Sequence, residues 1–295
     1  MLLIDLMDKG LIHPPKFVAG FTKYLVTTGS FSYGMSNSGS DVDIAGFCIP
    51  PKKVVFPHLD GEIQGFGTQV KRFEQWQKHH VIDEAAKKEY DFTIFSIIKF
   101  FKLVMEGNPN MVDILFVPPR CVRHTSDVSE RVRLHRDLFL NKTMFHKFKG
   151  YAYSQHKKIR DKSPQGKRLE MVQKYGYDVK AAAHLVRLLG KIEQILVEGT
   201  LVLDEEGRRK SLKSIRRGDW DIEKIDDYFF SKEAHLEKLY HTSDLRQAPD
   251  EARIKNLLLE CLDMAYCGIE DCVLIEDEAT KAIRDIQAII EGVSL

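Results

Sequence analysis

The stretch TTGSFSYGMSNSGSDVD, Thr27 to Asp43, sets a Gly-Ser pair and a second glycine ahead of two aspartates one residue apart. Carboxylates that close resist ionising together unless a cation lies between them. The segment before it, TKYLVTT (22–28), reads as a strand ending at Gly29, and DVDIAGFCIP (41–50) as a second strand closed by Pro50-Pro51. In a strand, residues i and i+2 share a face, with Cα atoms about 6.5–7 Å apart. Asp41 and Asp43 therefore point one way, while Val42, Ile44 and Cys48 point the other and can be buried.

Two carboxylates at that distance suit one or two Mg²⁺ ions, which take oxygen ligands and keep positions open for phosphates. A third carboxylate from another strand would complete the set. Asp91, in the strand YDFTIF (90–95), is the first candidate and Asp113, in MVDILFV (111–117), the second. Gly29 at the turn would let backbone N–H groups approach a phosphate at a strand-to-helix junction, with the Ser30 hydroxyl beside them and Gly34 permitting a bend or close packing. An EF-hand loop starting at Asp41 fails at Ala45 and Lys52, and no G-x-x-x-x-G-K-[ST] occurs.

Around this centre the chain has 295 residues, 43% hydrophobic and 29% charged, with a formal net charge of +1, enough apolar content for a packed core. The five cysteines (48, 121, 261, 267, 272) form no C-x-x-C pair, which disfavours zinc and a disulfide framework. There is no basic leader and no run of about 18 apolar residues, so the expectation is a soluble, cytoplasmic protein without a membrane span.

A short amphipathic helix is expected over 1–13, ended by Gly10 and Pro14-Pro15. Residues 52–88, with scattered glycines and the polar run EQWQKHH, give no clear pattern. SIIKFFKLVME (96–106) reads as a helix capped by Ser96 and stopped at Gly107-Asn108-Pro109, and 111–117 as a strand or a buried helical turn. Strand signals fade after about residue 135. Helices are expected over 178–199 with Asp178 as cap, and over 220–240, 250–266 and 277–291.

In the 178–199 helix, Lys180, His184, Arg187 and Lys191 fall within about 60° of one another and form a positive stripe with no acid until Glu193. From Lys147 to Lys174 the net charge is +7, with Phe148, Tyr151 and Tyr153 interleaved. That suits a polynucleotide-binding surface, with a solvated loop over KKIRDKSPQGKR (157–168) as the alternative. Arg208 to Arg217 adds six cations near Trp220.

GSFSYGMSNSGSDVDIAGF (29–47) resembles the GS…G…SDxD signature of the nucleotidyltransferase superfamily that includes DNA polymerase β. More narrowly, the chain is similar to the bacterial and phage group of RNA-ligase-associated polymerase-β-like proteins. That group also shows segments like YDFTIFSIIKFFKLVMEGNPNMVDILFVPP (90–119), YGYDVKAAAHLVRLL (175–189) and LKSIRRGDW (212–220).

The resemblance implies an α+β fold: a polymerase-β-like catalytic domain of mixed sheet and flanking helices over 1–145, followed by a mostly helical domain over 146–295 that completes the cleft. It implies that Asp41 and Asp43 are the first two metal carboxylates and that Gly29 and Ser30 hold a triphosphate. It supports Asp91 as the third acid less firmly, because that position moves among superfamily members. The expected cofactor is Mg²⁺ or Mn²⁺, the substrate a nucleoside triphosphate such as ATP, and the setting RNA repair. Lys180, His184 and Arg187 would meet the leaving pyrophosphate, and the acceptor would be an RNA or DNA end, a protein hydroxyl or a small molecule. The competing class is a nucleotide- or nucleic-acid-binding protein without turnover, against which the intact D-x-D argues.

Overall fold

The computed structural model describes residues 1–37, 39–55, 73–160, 166–267 and Ile286. The helix expected over 277–291 lies, apart from Ile286, outside the described residues, as does Cys272.

Five strands form one mixed sheet in the order β3-β4-β2-β1-β5. They are β1 (Thr22–Thr27), β2 (Val42–Cys48), β3 (Gln75–Asp83), β4 (Lys88–Ser96) and β5 (Val122–His124). β2 and β4 are parallel, while the β1/β2, β1/β5 and β3/β4 pairs are antiparallel. The period-2 alternation of the strands decides which layer covers each face. Val42, Ile44 and Cys48 of β2 and Phe92 and Ile94 of β4 pack with Leu3, Leu6 and Val18 of the two N-terminal helices, α1 (Leu2–Asp8) and α2 (Lys16–Phe21). The intervening Ala45, Phe47 and Phe95 join a second cluster that continues through Phe100 and Phe139 to Leu185, Leu189 and Leu257. Asp43 and Asp91 occupy this second face, where the helical part of the chain lies.

The helices follow from local chemistry. After the short α3 (Lys52–Val55), α4 (Ile97–Met105) starts where the Ser96 side chain accepts from the Lys99 N–H, and it stops at Gly107 with φ +71°. Residues 111–116 of the stretch left open between strand and helix belong to α5 (Pro109–Phe116), capped by Asn108 and started by Pro109, with Val117 as its C-cap. α6 (Asp127–Leu134) has a capping box from Ser126 and Ser129. Asp178 caps α9 (Val179–Glu198) by accepting from the Lys180 and Ala181 N–H groups. α9 is the axis of the helical part. Around it pack α7 (Met144–Ile159), α8 (Lys167–Tyr175), α10 (Glu206–Arg217) and α11 (Ile222–Thr242), while α12 (Glu251–Tyr266) lies on α4 and α6.

Two sequence expectations change here. The run 74–80 is not patternless, because from Gln75 it opens β3, an edge strand with mostly exposed residues. Most of the basic stretch 147–174 is helical, in α7 and α8, and residues 161–165, in the middle of KKIRDKSPQGKR, lie outside the described residues. Phe148 is in the core, and several of the cations are already paired with α11: Lys149 with Glu233 (2.8 Å) and Glu237 (2.5 Å), and both His156 and Arg160 with Asp226. That takes Phe148, Lys149 and Arg160 out of the set, while Lys147, Lys157 and Lys158 stay exposed along α7.

Candidate active site

Asp43 and Asp91 are opposite one another in the parallel β2/β4 register. This puts two carboxylates side by side on the face that looks toward α9. Asp41, one residue before β2, stands at the rim and is exposed, whereas Asp43 is half-buried. Burial first, and then the neighbouring charges of Asp91 and Asp41, hold the Asp43 pKa above the ordinary carboxylate value, with Lys180 and Arg187 pulling the other way.

The Gly-Ser turn is fitted directly against this pair. Gly29 has φ +59°, and a Cβ there would sit 1.9 Å from Asp43 Oδ2, so a larger residue would be strained and would displace the Asp43 carboxylate. The Thr28 N–H donates to the Asp43 carbonyl (2.8 Å), tying the turn to β2. The turn enters a single 3₁₀ turn, Gly29–Phe31, rather than a full helix. Gly34 (φ +63°) lies so close to Asp204 and Arg209 that a Cβ would be 2.8 Å from Asp204 Oδ1, which makes it a close-packing position.

A cleft of about 480 Å³ gathers the Gly29-Ser30 turn, Asp41, Asp43, Asp91 and three members of the α9 stripe. One wall carries Gly29, Ser30, Asp41, Asp43 and Asp91; the opposite wall, from α9, carries Lys180, His184 and Arg187. Acids and cations thus face each other across a gap. His184 Nε2 and Arg187 Nε are buried with no hydrogen-bond partner within the protein. Burial first, then the nearby charges of Arg187 and Lys191, push the His184 pKa down to about 3, so the ring is neutral at pH 7.

Lys191, the fourth member of the stripe, does not reach the cleft. It is fully buried, and its Nζ donates to Asp113 Oδ1 at 2.6 Å. The Tyr33 hydroxyl donates to the other Asp113 oxygen, and the Arg187 guanidinium lies 4.1 Å from the Tyr33 ring centroid. Asp113 is thereby committed to a buried network behind the cleft, while Asp91 faces into it.

Several site groups carry no clear mark in the sequence. β3 bulges between Lys78 and Val81, with His80 at φ +55°. The bulge aims the His80 N–H at Asp91 Oδ1 (2.8 Å) and sets His79 Nδ1 3.5 Å from the same oxygen. Arg168 and Arg216 also line the cleft. Arg168 sits in a stretch noted for its positive charge and Arg216 in the LKSIRRGDW segment, neither singled out there, and the fold brings both to the cleft.

Among the described residues no group of three or more His, Cys, Asp or Glu side chains is disposed to enclose a metal ion as it stands. The donor chemistry of Asp41, Asp43 and Asp91 nonetheless fits a hard divalent cation: oxygen ligands only, two of them adjacent and mutually repelling, beside a glycine whose missing side chain leaves Asp43 accessible. No helix among the described residues is long and apolar enough to cross a membrane.

An uncharacterized 38.9 kDa protein encoded in the nrdC-mobD intergenic region of Enterobacteria phage T4 is 29% identical to the chain over 132 residues. The match covers 44% of this chain and 36% of that protein, so the chain spans little more than a third of its relative. A broader match takes in the glycine turn, all three candidate carboxylates and the cation wall. The model of the RNA repair pathway DNA polymerase beta family covers residues 22–216, well over half of the chain, and the chain belongs to that family.

Proposed function

We propose that the protein is a metal-dependent nucleotidyltransferase that moves a nucleoside monophosphate from a nucleoside triphosphate to an acceptor hydroxyl, with an RNA end as the acceptor. Membership of a polymerase-β family tied to RNA repair implies nucleotidyl transfer. The observation that carries the finer reading is the cleft itself, with crowded carboxylates and a glycine turn on one wall and, on the other, Lys180 and the partner-less nitrogens of Arg187 and neutral His184.

Residues 1–145 would act as the catalytic domain, and the helical part from residue 146 would close the cleft. The backbone of Gly29 and the Ser30 hydroxyl receive the triphosphate. Arg187 and Lys180 neutralise the β and γ groups, and neutral His184 offers a hydrogen bond. Mg²⁺ or Mn²⁺ held by Asp41, Asp43 and Asp91 would supply Lewis-acid activation of the hydroxyl and charge neutralisation at the phosphates. The acceptor oxygen forms a bond to the α-phosphorus as the bond from that phosphorus to the bridging oxygen breaks. Pyrophosphate leaves on the side of the α9 cations, and the hydroxyl proton passes to Asp91, kept in position by the His80 N–H.

The test is incubation of the purified protein with each α-labelled triphosphate, Mg²⁺ or Mn²⁺, and single-stranded RNA. The expected outcome is labelled RNA with stoichiometric pyrophosphate. Binding of triphosphate without label reaching RNA, protein or small hydroxyl compounds would leave only the non-catalytic alternative.

A further inference from the structure

The carboxylates stand at a junction. A second lobe of about 360 Å³ opens from the same residues, sharing Gly29, Tyr33, Asp43, Asp91 and Arg187 with the first. Its floor is the helix-covered face of the sheet beyond the aspartates: Ala45 follows Asp43 on β2, and Thr93 and Phe95 follow Asp91 on β4. Gln77 of β3, in register with Thr93, forms one side, with its amide Nε2 3.4 Å from the Thr93 hydroxyl. Asn110 and Met111 at the start of α5 contribute the other side.

From this geometry we infer that the second lobe is the acceptor subsite and that it takes the terminal, unpaired nucleoside of an RNA ending in a free 3′-hydroxyl. The inference rests on the nucleotidyl-transfer reading. In-line displacement puts the attacking oxygen opposite the leaving group. The partner-less cations that would hold pyrophosphate are all in the first lobe or at the junction, so the attacking hydroxyl enters from the second.

The lining fits a nucleoside better than a phosphate. Among the described residues, no lysine and no arginine other than Arg187 borders this lobe, whereas Asp43, Asp91 and Asp113 do. Asp113 is taken up by Lys191 and Tyr33, and Arg187 is shared with the first lobe, so a phosphate-terminated end would meet the Asp43–Asp91 pair with no cation that belongs to this lobe alone. Gln77, Asn110 and Thr93 offer amide and hydroxyl groups for base edges, and Phe95 and Met111 offer apolar surface for a base face, the means by which single-stranded RNA is read. The volume is near the lower end for ligand sites, suited to one nucleoside and too small for a duplex end.

The test uses Asn110→Trp, which fills the lobe from an exposed position, and Gln77→Ala, which removes one hydrogen-bonding group. Three quantities are read on the full chain: triphosphate Kd by calorimetry, affinity for a fluorescent single-stranded oligoribonucleotide by anisotropy, and acceptor KM. Asn110→Trp is expected to weaken oligonucleotide binding and raise acceptor KM by about tenfold or more with triphosphate Kd unchanged. Gln77→Ala should shift the preferred terminal base. An oligonucleotide ending in a 3′-phosphate should bind more weakly than its 3′-hydroxyl counterpart.

A loss of triphosphate affinity in Asn110→Trp, with oligonucleotide binding intact, would give the lobe to the incoming base and overturn the inference. Unchanged values for both ligands, or a peptide hydroxyl outcompeting RNA, would overturn it too. In each of those cases transfer by the wild type would leave nucleotidyl transfer itself standing, with the peptide result changing only its acceptor. A wild type that binds triphosphate and RNA but transfers nothing sinks the parent reading instead, and this one with it.

Discussion

Asp43 and Asp113 border the same second lobe, and their surroundings are opposite. Asp113 is buried and satisfied: Lys191 donates to one oxygen, Tyr33 to the other. Asp43 has Asp91 and Asp41 for neighbours, and its pKa is raised rather than relieved. A carboxylate whose needs are met inside the fold is a structural part. One kept crowded at a cleft is poised for something that arrives, because the protein forgoes stability at that spot.

The comparison breaks most visibly if the two respond alike to mutation. Asp43→Asn is expected to abolish nucleotidyl transfer, with Asp41→Asn and Asp91→Asn close behind, measured with labelled triphosphate. In metal-free buffer none should lower the melting temperature. For Asp43 the sign follows from its raised pKa. The folded state holds a proton that the unfolded chain has already released, so stability declines as pH rises through that window. Asparagine removes the decline, and Asp43→Asn should melt at or above wild type near neutral pH. Near wild-type transfer in Asp43→Asn would end the metal-ligand assignment.

Asp113→Ala should show the reverse pattern. It strands the Lys191 ammonium in the core, where burial already pulls the lysine pKa down to about 8 despite its partner. Removing one member of a buried pair costs about 3–5 kcal/mol. Urea unfolding should register that loss, whereas Asp113→Asn should leave transfer per folded molecule only mildly reduced. A ranking in which Asp113→Asn abolishes transfer and Asp91→Asn does not would move the third carboxylate to Asp113.

Much of this contrast was visible in the sequence and some was not, for physical reasons. Periodicity placed Val42, Ile44 and Cys48 on the face opposite Asp43, and the layers agree. It could not supply the Asp43–Asp91 register, a pairing between residues far apart in the chain. β3 escaped because an edge strand with few buried positions shows no alternation. The stripe on α9 has the expected helical spacing, yet its last member ends in the core. That depends on Asp113 arriving from α5, and no single-helix pattern contains it.

His184 sharpens the comparison through pH. Its pKa falls to about 3 in the folded protein against 6.5 for an ordinary histidine. As pH drops below 6.5 the unfolded chain takes up a proton that the native ring refuses, so stability is lost progressively toward pH 3. The slope approaches one proton, about 1.4 kcal/mol per pH unit. His184→Gln should flatten that acid limb in chemical denaturation across pH 4–7. A bound triphosphate should flatten it as well, by favouring the charged ring. An unchanged slope in both cases would mean that His184 is solvated and outside the cleft.

The smallest expected difference is between the two cations themselves. Arg187 is partly buried, lies over Tyr33 and has a partner-less Nε at the cleft, whereas Lys180 is exposed at the start of α9. A hydrogen bond to a charged group contributes on the order of 1.5–3 kcal/mol, so Arg187→Ala should weaken triphosphate binding by roughly 10- to 150-fold. Lys180 acts through solvent, where exposed ion pairs are worth about 1 kcal/mol or less, and its alanine variant should lose roughly fivefold at most. Added salt should erase most of the Lys180 difference and spare most of the Arg187 difference. Both losses should be smaller for a monophosphate, which lacks the β and γ groups. Calorimetry with the two nucleotides at low and high salt separates the cases. Equal affinities in Arg187→Ala and wild type for both ligands would remove α9 from the nucleotide site. Equal triphosphate affinities with weaker, less salt-dependent oligonucleotide binding would give the cations to the acceptor strand, the arrangement opposite to the one argued for the two lobes.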